Sequence, residues 1–371
     1  MKVLKTTFKT ILILIVALAA FIFLFMQQKS FGKLPSGKRL ERIKQSRHYK
    51  DGSFKNLVST EMVGEGVSYP KLMADFFFSK GINREPSVTL PSIRTNLTSL
   101  PDQPSIIWFG HSSYLITVNG KNILVDPVFS EYASPVQYFG SKNYAFATPY
   151  AIEDFPPLDV VVISHDHYDH LDYNTILKLK SKTKMFCTGL GIGSHLAYWG
   201  VDEAHITEFD WWEGGTILPG IELTATPARH FSGRGFKRFQ TLWSSFVLKT
   251  GGYTIFIGGD SGYDESFKKI GEKYGPFDLV MLECGQYDKQ WPYIHMMPEE
   301  TVQASIDLNS KVLMPVHWGK FTLALHPWKE PVERAVKAAE KLNVRMTTPI
   351  MGERLRLDSL SIGSQWWKDL H

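Results

Sequence analysis

Four potential metal ligands lie within six residues of this 371-residue chain, in the sequence HDHYDH at positions 165–170. The apolar run DVVVIS precedes them and predicts a buried strand, so the four side chains should project from an open turn at a strand end. An imidazole binds zinc at about 2.0 to 2.1 Å, and three protein ligands with one open position form a catalytic site. Because His165 and His167 are too close in sequence to surround an ion alone, more distant ligands must complete the site.

Three residues at the ends of other apolar runs could supply those ligands. They are His230 in TATPARH, Asp260 in TIFIGGDSG and His317 in LMPVHWG, and we expect all three to project from the same sheet edge as HDHYDH. Taken singly, each has an ordinary explanation as a buried histidine or a turn-capping aspartate. Together the candidates are enough for two metal ions bridged by a carboxylate and a water, and such ligands suit zinc, iron and manganese alike. The seven candidates are His165, His167, Asp169, His170, His230, Asp260 and His317.

The elements that must position these residues are short β-rich runs with helical segments between them. From about residue 104 the predicted strands include SIIWFG, SYLITVNG, KNILVDP, DVVVISH, MFCTGL, IELTATPA, SSFVLKT, YTIFIGGD, FDLVMLE and KVLMPVHWG. The predicted helices are NTILKLKS, ESFKKIGEKYG, PEETVQASIDLN and EPVERAVKAAEKL. The early half has hairpin spacing and the later half alternates strand and helix, which predicts an α/β protein with two sheets between helices.

The amino-terminal end carries a candidate membrane anchor. Residues 11–26 are sixteen uninterrupted apolar residues, and we predict a tail at 1–7 and a transmembrane helix at 8–26. A cleaved signal peptide is the alternative, but no A-x-A cleavage pattern follows the run. Lysines flank both ends of the segment, so the positive-inside rule mildly favours a cytosolic catalytic body and leaves its side of the membrane open.

Composition and charge exclude several classes of protein. Hydrophobic residues make up 43% and charged residues 21%, which disfavours a disordered or fibrous chain, and two cysteines are too few for a disulfide scaffold. Residues 1–50 carry eleven Lys or Arg and one acid, whereas the remaining 321 residues have a net charge of −6. The net acidic body argues against nucleic-acid binding. Residues 27–100 show no sustained period, and their basic stretch fits either anionic headgroups or a solvated linker equally well.

The pattern HxHxDH, followed by separate His, Asp and His at strand ends, resembles the metallo-β-lactamase superfamily. Further segments, including WFGHSSYLI, ITEFDWWEGG, TPARHFSGR, GPFDLVMLECGQYD and HMMPEE, resemble in order the family of N-acylphosphatidylethanolamine-hydrolysing phospholipases D and its bacterial relatives, over about residues 100–335. The resemblance implies a four-layer αβ/βα sandwich at 101–355, followed by a tail at 356–371, and two zinc ions per chain. By that match His165, His167 and His230 hold one zinc, Asp169, His170 and His317 hold the other, and Asp260 bridges them.

Several residues outside this set are candidates for supporting roles. His295, just before PEE, matches an active-site histidine of the phospholipase, which suggests substrate contact or leaving-group protonation, with a structural role as the alternative. His111 and Asp126 could orient metal-binding imidazoles or belong to ordinary turns. The segment LECGQYDKQWPYIHMMPEE departs from the animal phospholipase and should bring Glu283, Cys284 and Gln286 to a strand end near the site.

These observations predict a membrane-anchored dinuclear zinc hydrolase in which a metal-bridging hydroxide, held by Asp169 and Asp260, attacks phosphorus or a carbonyl carbon. The first expected substrate is an N-acylphosphatidylethanolamine-like phosphodiester, cleaved as by a phospholipase D. One alternative is a zinc-dependent lactonase or phosphodiesterase of a small soluble metabolite. An alternative of another class is a non-catalytic, membrane-tethered binding protein stabilised by zinc. The sequence predicts no oligomeric state.

Overall fold

The computed structural model describes residues 2–78, 83–360 and 363–370. Within them lie eight α-helices and seventeen strands, together with short 3-10 turns. The helices are α1 (Lys2–Phe25), α2 (Gly37–Gln45), α3 (Tyr69–Phe78), α4 (Tyr173–Leu179), α5 (Gly193–Tyr198), α6 (Ser266–Tyr274), α7 (Pro298–Asp307) and α8 (Glu330–Leu342). The strands are β1 (Tyr49–Lys50), β2 (Ser53–Phe54), β3 (Ser105–Trp108), β4 (Tyr114–Val118), β5 (Lys121–Val125), β6 (Tyr132–Ala133), β7 (Ser141–Lys142), β8 (Leu158–Ile163), β9 (Thr183–Gly189), β10 (Ile206–Phe209), β11 (Gly214–Leu218), β12 (Ile221–Thr226), β13 (Ser245–Thr250), β14 (Tyr253–Ile257), β15 (Leu279–Glu283), β16 (Leu313–Val316) and β17 (Arg354–Arg356).

Two large sheets form the centre of the molecule. The first has seven strands in the order β10-β9-β8-β5-β4-β3-β17, and the second has six in the order β11-β12-β13-β14-β15-β16. Antiparallel hairpins, β3-β4-β5 and β11-β12-β13-β14, supply one side of each sheet. Parallel strands supply the other side, β5-β8-β9-β10 in the first sheet and β14-β15-β16 in the second. Hairpins and crossovers therefore occur together in each sheet, as their different connection lengths allow.

The core lies between the sheets, and helices cover their outer faces. Along β5, Ile123 and Val125 pack into the central core, whereas Leu124 between them packs on the opposite face, as the two-residue period of a strand requires. Helices α4 and α5 cover the outer face of the first sheet, and α6, α7 and α8 cover that of the second. The four-layer αβ/βα sandwich predicted from the sequence is therefore confirmed, and its predicted helices correspond to α4, α6, α7 and α8.

The amino-terminal extension, whose sequence shows no sustained period, contains short regular elements. It contains α2, α3 and the hairpin β1-β2, and α2 docks on the catalytic body. Arg39 binds Glu203 and Glu208, each at 2.6 Å, and Arg42 binds Glu213 at 2.9 Å. These two cations are therefore paired with carboxylates of the acidic body.

Helix α1 is the one helix among the described residues that is long and apolar enough to cross a membrane. The apolar span runs from Leu4 to Phe25, and none of it is buried against the rest of the chain. At 1.5 Å per residue its 22 residues measure about 33 Å, close to the hydrocarbon thickness of a bilayer. A signal sequence has the same length and composition, so the anchor stays a prediction.

The segment after β17, expected as a tail, packs against the core behind the candidate site. Trp367 is buried, and its ring meets that of Trp318 edge to face at 5.4 Å. Trp366 stacks on Trp318, also at 5.4 Å. Because Trp318 directly follows His317, these aromatic contacts hold the loop that carries a predicted metal ligand.

Trp367→Ala should lower the free energy of unfolding by about 3 to 5 kcal/mol, because it leaves a large cavity against Trp318. Thermal unfolding of the full chain in detergent would measure this change as a lower Tm. The exposed neighbour Lys368 provides a control, since Lys368→Ala removes no core contact. Equal Tm values for the two variants would show that the carboxy-terminal segment contributes nothing to the core.

Candidate metal centre

The ends of six strands converge at one edge of the sandwich. His165 follows β8, His230 follows β12, Asp260 follows β14 and His317 follows β16. Asp126 comes directly after β5, and Glu283 is the last residue of β15. Because most of these strands are parallel neighbours, their carboxyl ends point the same way and deliver polar side chains to one place.

One group of three imidazoles occupies one half of the cluster. His165 Nε2 lies 2.9 Å from His167 Nδ1, and His230 Nε2 lies 3.3 Å from the same atom. The rings of His165 and His230 are 4.9 Å apart, almost perpendicular. All three ligand nitrogens therefore surround one point.

A second group occupies the other half. His111, Asp169, His170 and His317 bring ligand atoms within 4.8 Å of one another. His170 Nε2 lies 3.4 Å from Asp169 Oδ2, and the His170 and His317 rings are stacked at 5.1 Å. The second half therefore combines imidazoles with a carboxylate.

Asp260 lies between the two groups. Its Oδ2 is 3.2 Å from His170 Nε2, 3.7 Å from His165 Nε2 and 3.8 Å from His230 Nε2, while Oδ1 is 3.2 Å from His317 Nδ1. Gly259 makes this approach possible, since its φ is 58° and a Cβ there would lie 2.7 Å from the Ser164 Cβ. A carboxylate so placed can contact two ions at once.

The chemistry of these atoms fits divalent cations. Four ligands at 2.0 to 2.1 Å in a tetrahedron are about 3.3 Å apart, close to the nitrogen separations of the first group. Asp260 Oδ1 and His170 Nε2 are buried, yet neither makes a hydrogen bond. Burial lowers the pKa of His165 well below its usual range and that of His167 to about 4, so both imidazoles are neutral, as metal ligands must be.

The outward-facing nitrogens of the imidazoles have their own partners. Ser164 Oγ lies 3.0 Å from His165 Nδ1, Asp126 Oδ2 lies 2.9 Å from His170 Nδ1, and the Ile294 carbonyl accepts from His230 Nδ1 at 2.7 Å. These contacts fix each ring so that Nε2 faces the cluster. The Nε2 atoms of these three rings are thereby directed at the other ligand atoms of the cluster.

Asp126 connects two of these rings through Ser164. Its Oδ1 accepts from the Ser164 backbone N–H at 2.7 Å, and its Oδ2 accepts from the Ser164 hydroxyl at 2.6 Å. Asp126 has a backbone φ of 38°, in a region that few residues other than glycine adopt. Of the two roles left open by the sequence, the geometry places Asp126 against His170 as an orienting carboxylate.

His111 lies inside the cluster rather than behind it. Its Nε2 is 2.9 Å from Asp169 Oδ2, and its ring is 4.0 Å from that of His317. Burial lowers the pKa of His111 to about 4. The neutral imidazole can therefore orient Asp169 by donating a hydrogen bond from its Nε2–H to the Asp169 carboxylate.

His295 is held beside the cluster by Glu283. Its Nδ1 lies 2.7 Å from Glu283 Oε2, and its ring is 5.0 Å from that of His230. Glu283 is in turn fixed by the backbone N–H groups of Ser261 and Met296, both of which donate to Oε1. Burial raises the pKa of the Glu283 carboxyl well above its usual range and lowers that of His295.

Solvent reaches the cluster from one side. Asp169 and His295 have side-chain exposures of 13% and 12%, and His167 is also partly exposed, whereas His165, His170 and His317 are buried. The partly exposed residues define the open side of the site. A substrate must approach from that side.

The structure thus brings together all seven predicted ligands and His295, although their roles as ligands and catalyst stay predictions. Sequence reasoning missed Ser164 and the buried Arg234, which donates to the Asp166 and Leu171 carbonyls and so holds the HDHYDH loop. Nothing in the local sequence marks these roles, because they depend on contacts between distant segments. Of the other two residues predicted near the site, Cys284 lies in the hydrophobic core and Gln286 Nε2 donates to the His317 carbonyl at 3.5 Å.

Residues 121–318 match the model of the β-lactamase superfamily domain, over slightly more than half of the chain. The chain belongs to the β-lactamase superfamily. The match begins at β5 and ends just after His317, so it includes all seven predicted ligands. The chain is accordingly a metal-dependent hydrolase of that superfamily.

Relatives extend the similarity beyond this domain. The chain is 38% identical to the uncharacterised protein Rv0906 of Mycobacterium tuberculosis over 87% of this chain and 88% of that protein. It is 32% identical to N-acyl-phosphatidylethanolamine-hydrolyzing phospholipase D 1 of Caenorhabditis elegans, over 66% of this chain and 74% of that protein. Among solved structures, Igni18, a metallo hydrolase from Ignicoccus hospitalis, shares the fold with a TM-score of 0.52 at 21% identity, over 68% of this chain and 97% of Igni18.

Asp126→Asn should weaken metal binding by about 10- to 100-fold, because an amide cannot accept from His170 and Ser164 as a carboxylate does. Competition with a chromogenic chelator would measure the affinity. Asp159 provides a matched control, since it is also buried and hydrogen-bonded but lies at the opposite end of β8. Equal affinities of Asp126→Asn and Asp159→Asn would refute the orienting role.

Proposed function

We propose that this chain is a membrane-anchored phosphodiesterase of phospholipase D type that uses two zinc ions to hydrolyse N-acylphosphatidylethanolamine-like lipids. The observation that carries the proposal is the pair of ligand groups joined by Asp260 and open on one side. The similarity to the Caenorhabditis elegans phospholipase supports the lipid substrate, and α1 supports a location at a membrane.

In this proposal His165, His167 and His230 would hold one zinc, Asp169, His170 and His317 would hold the other, and Asp260 would contact both. Two such ions would supply a water with its pKa lowered toward neutrality and positive charge to offset the negative charge of phosphoryl oxygens. The outer hydrogen bonds of the imidazoles keep the ligand nitrogens in place before substrate arrives. Asp169 and Asp260 supply the negative charge that orients the attacking water.

His295 is proposed to protonate the leaving group. Glu283 occupies its Nδ1, so Nε2 is the atom left to meet a substrate on the open side. Hydrolysis then transfers the elements of water: oxygen bonds to phosphorus, the bond to the amine-side alcohol breaks, and that alkoxide takes the proton of His295 Nε2. The Glu283 carboxyl, whose pKa is raised by burial, supplies a proton to Nδ1 at the same time, so the imidazole stays neutral. Phosphatidic acid and the alcohol are the products.

Elemental analysis of the full chain should find about two zinc ions per chain. The same preparation should release phosphatidic acid from N-acylphosphatidylethanolamine vesicles and lose this activity after chelation. His165→Ala should bind less metal and lose most of the activity, because the remaining two imidazoles of its group cannot surround an ion. The exposed His205 provides a matched control, and His205→Ala should keep both properties.

The outcomes separate the alternatives. Two zinc ions with turnover of bis-p-nitrophenyl phosphate or lactones, but none of lipid vesicles, would replace the lipid substrate with a small soluble one. Bound zinc without turnover of any of these substrates would favour the non-catalytic binding protein. Less than one metal ion per chain would overturn the dinuclear site.

His295→Gln should lower kcat for the lipid roughly 100-fold or more while leaving the metal content unchanged, because it removes a general acid and not a ligand. The loss should be much smaller for bis-p-nitrophenyl phosphate, since p-nitrophenolate leaves without protonation. Steady-state kinetics on both substrates would measure the two losses. Equal losses would refute leaving-group protonation, and a loss of metal would make His295 a ligand.

A further inference from the structure

Residues 29–33, which begin four residues after the end of α1, are docked directly beside the metal centre. Trp199 Nε1 donates to the Lys29 carbonyl at 2.7 Å, and Arg234 Nη2 donates to the Ser30 carbonyl at 2.7 Å. The Lys33 backbone N–H donates to His195 Nδ1 at 2.9 Å. From Phe25 to Lys29 the chain can extend at most about 14 Å. The catalytic body is therefore held close to the end of α1.

These contacts lead straight to the HDHYDH loop. The ring of Phe31 packs against that of Tyr168 at 6.3 Å and against that of Phe25, the last residue of α1, at 5.5 Å. His195, which accepts from Lys33, lies 3.3 Å from Asp166 Oδ2. The helix end and the metal-binding loop are thus joined through packed side chains and not through a free linker.

Residues 231–240, here called the rim loop, continue this surface to the open side of the site. The loop starts next to His230, and the Phe231 ring lies 4.4 Å from that of His167. In the middle of the loop, Gly235 packs so closely on Met26, the residue after α1, that a Cβ at position 235 would lie only 2.8 Å from the Met26 methyl group. The rim loop therefore connects the open side of the cluster with the end of α1.

The tip of the rim loop has the composition of a membrane-contacting segment. Phe236 is 82% exposed, one of the most exposed large apolar side chains of the described residues, and the exposed cations Lys237 and Arg238 follow it. An aromatic ring with adjacent basic groups suits the boundary between acyl chains and anionic headgroups.

The cations near the helix end also differ from those farther along the extension. Arg39 and Arg42 are paired with glutamates of the body. Within the described part of the chain, by contrast, no carboxylate forms an ion pair with Lys29, Lys33, Lys237 or Arg238. These four positive charges are available to anionic headgroups.

We propose that the rim loop inserts Phe236 into the leaflet surface at which α1 ends, with Lys237 and Arg238 on anionic headgroups, so that the open side of the metal centre lies at the lipid surface. This inference rests on the membrane anchoring in the proposed function, but not on the identity of the substrate. It assigns the position of the site relative to the bilayer, which the anchor alone leaves undefined.

A fluorophore attached at Phe236→Cys tests the proposal. Both natural cysteines, Cys187 and Cys284, are fully buried, so an environment-sensitive nitrobenzoxadiazole label should react selectively with the introduced thiol. The full-length protein would be reconstituted into vesicles of phosphatidylcholine and phosphatidylglycerol, with spin-labelled lipid as quencher. We expect a blue-shifted emission and loss of intensity with the quencher.

Leu342→Cys provides the matched control. Leu342 is 43% exposed and is the last residue of α8. Three residues later, the Arg345 carbonyl accepts a hydrogen bond from the N–H of Leu313, the first residue of β16. Because His317 follows the last residue of β16, Leu342 lies near the end of that strand that is opposite the metal centre. Its label should stay in water and remain unquenched. Quenching equal to that of Phe236→Cys, or none at either position in vesicle-bound protein, would overturn the proposal.

Two further outcomes separate this proposal from the membrane anchoring. Failure of the full chain to float with the vesicles would overturn the anchoring and, with it, the insertion of the rim loop. In floating protein, Lys237→Glu with Arg238→Glu should reduce the quenching at position 236, because it reverses the charge that faces the headgroups. Unchanged quenching in that variant would refute the contact of Lys237 and Arg238 with anionic headgroups.

Discussion

The main constraint on this structure is that neutral imidazole nitrogens are held within about 3 Å of one another. His165, His167 and His230 place three such nitrogens together, and nitrogen lone pairs repel unless a cation or a proton lies between them. A close approach of this kind has to be enforced by the fold. The strand ends, the outer hydrogen bonds and the tryptophan cluster behind His317 all serve that purpose.

The loops that hold the imidazoles close together adopt strained backbone conformations. His111, Asp126 and His317 all have positive φ angles, which cost of the order of 1 to 3 kcal/mol each for residues other than glycine. Backbone hydrogen bonds offset this cost, since the His111 N–H donates to the Trp318 carbonyl and the His317 N–H donates to the His111 carbonyl. The two loops thereby support each other at the point where the ligands must be placed.

The sequence predicted the sandwich and the converging residues because both depend on local patterns. Apolar runs that end in His or Asp mark strand ends, and parallel strands bring such ends together. It did not predict the docking of α2 or the burial of Trp367, because the partners of Arg39 and Trp367 lie far away in the chain. The roles of single polar residues such as Ser164 were also not predicted, since a serine after a strand has no distinctive sequence signal. The substrate stays a proposal for the same reason, because specificity depends on the shape of the open side.

The docking of residues 29–33 has a consequence for the order of folding. These residues leave the ribosome early, but their partners His195 and Arg234 lie 162 and 204 residues later in the chain. In an anchored protein, α1 is already in the bilayer when the rest of the domain is synthesised. These contacts close loops of 162 and 204 residues, and the entropy cost of closure depends on loop length, so they can form only after the segments with His195 and Arg234 have been synthesised. Docking of the residues that follow α1 is therefore a late step of folding, and in an anchored protein it takes place at the membrane.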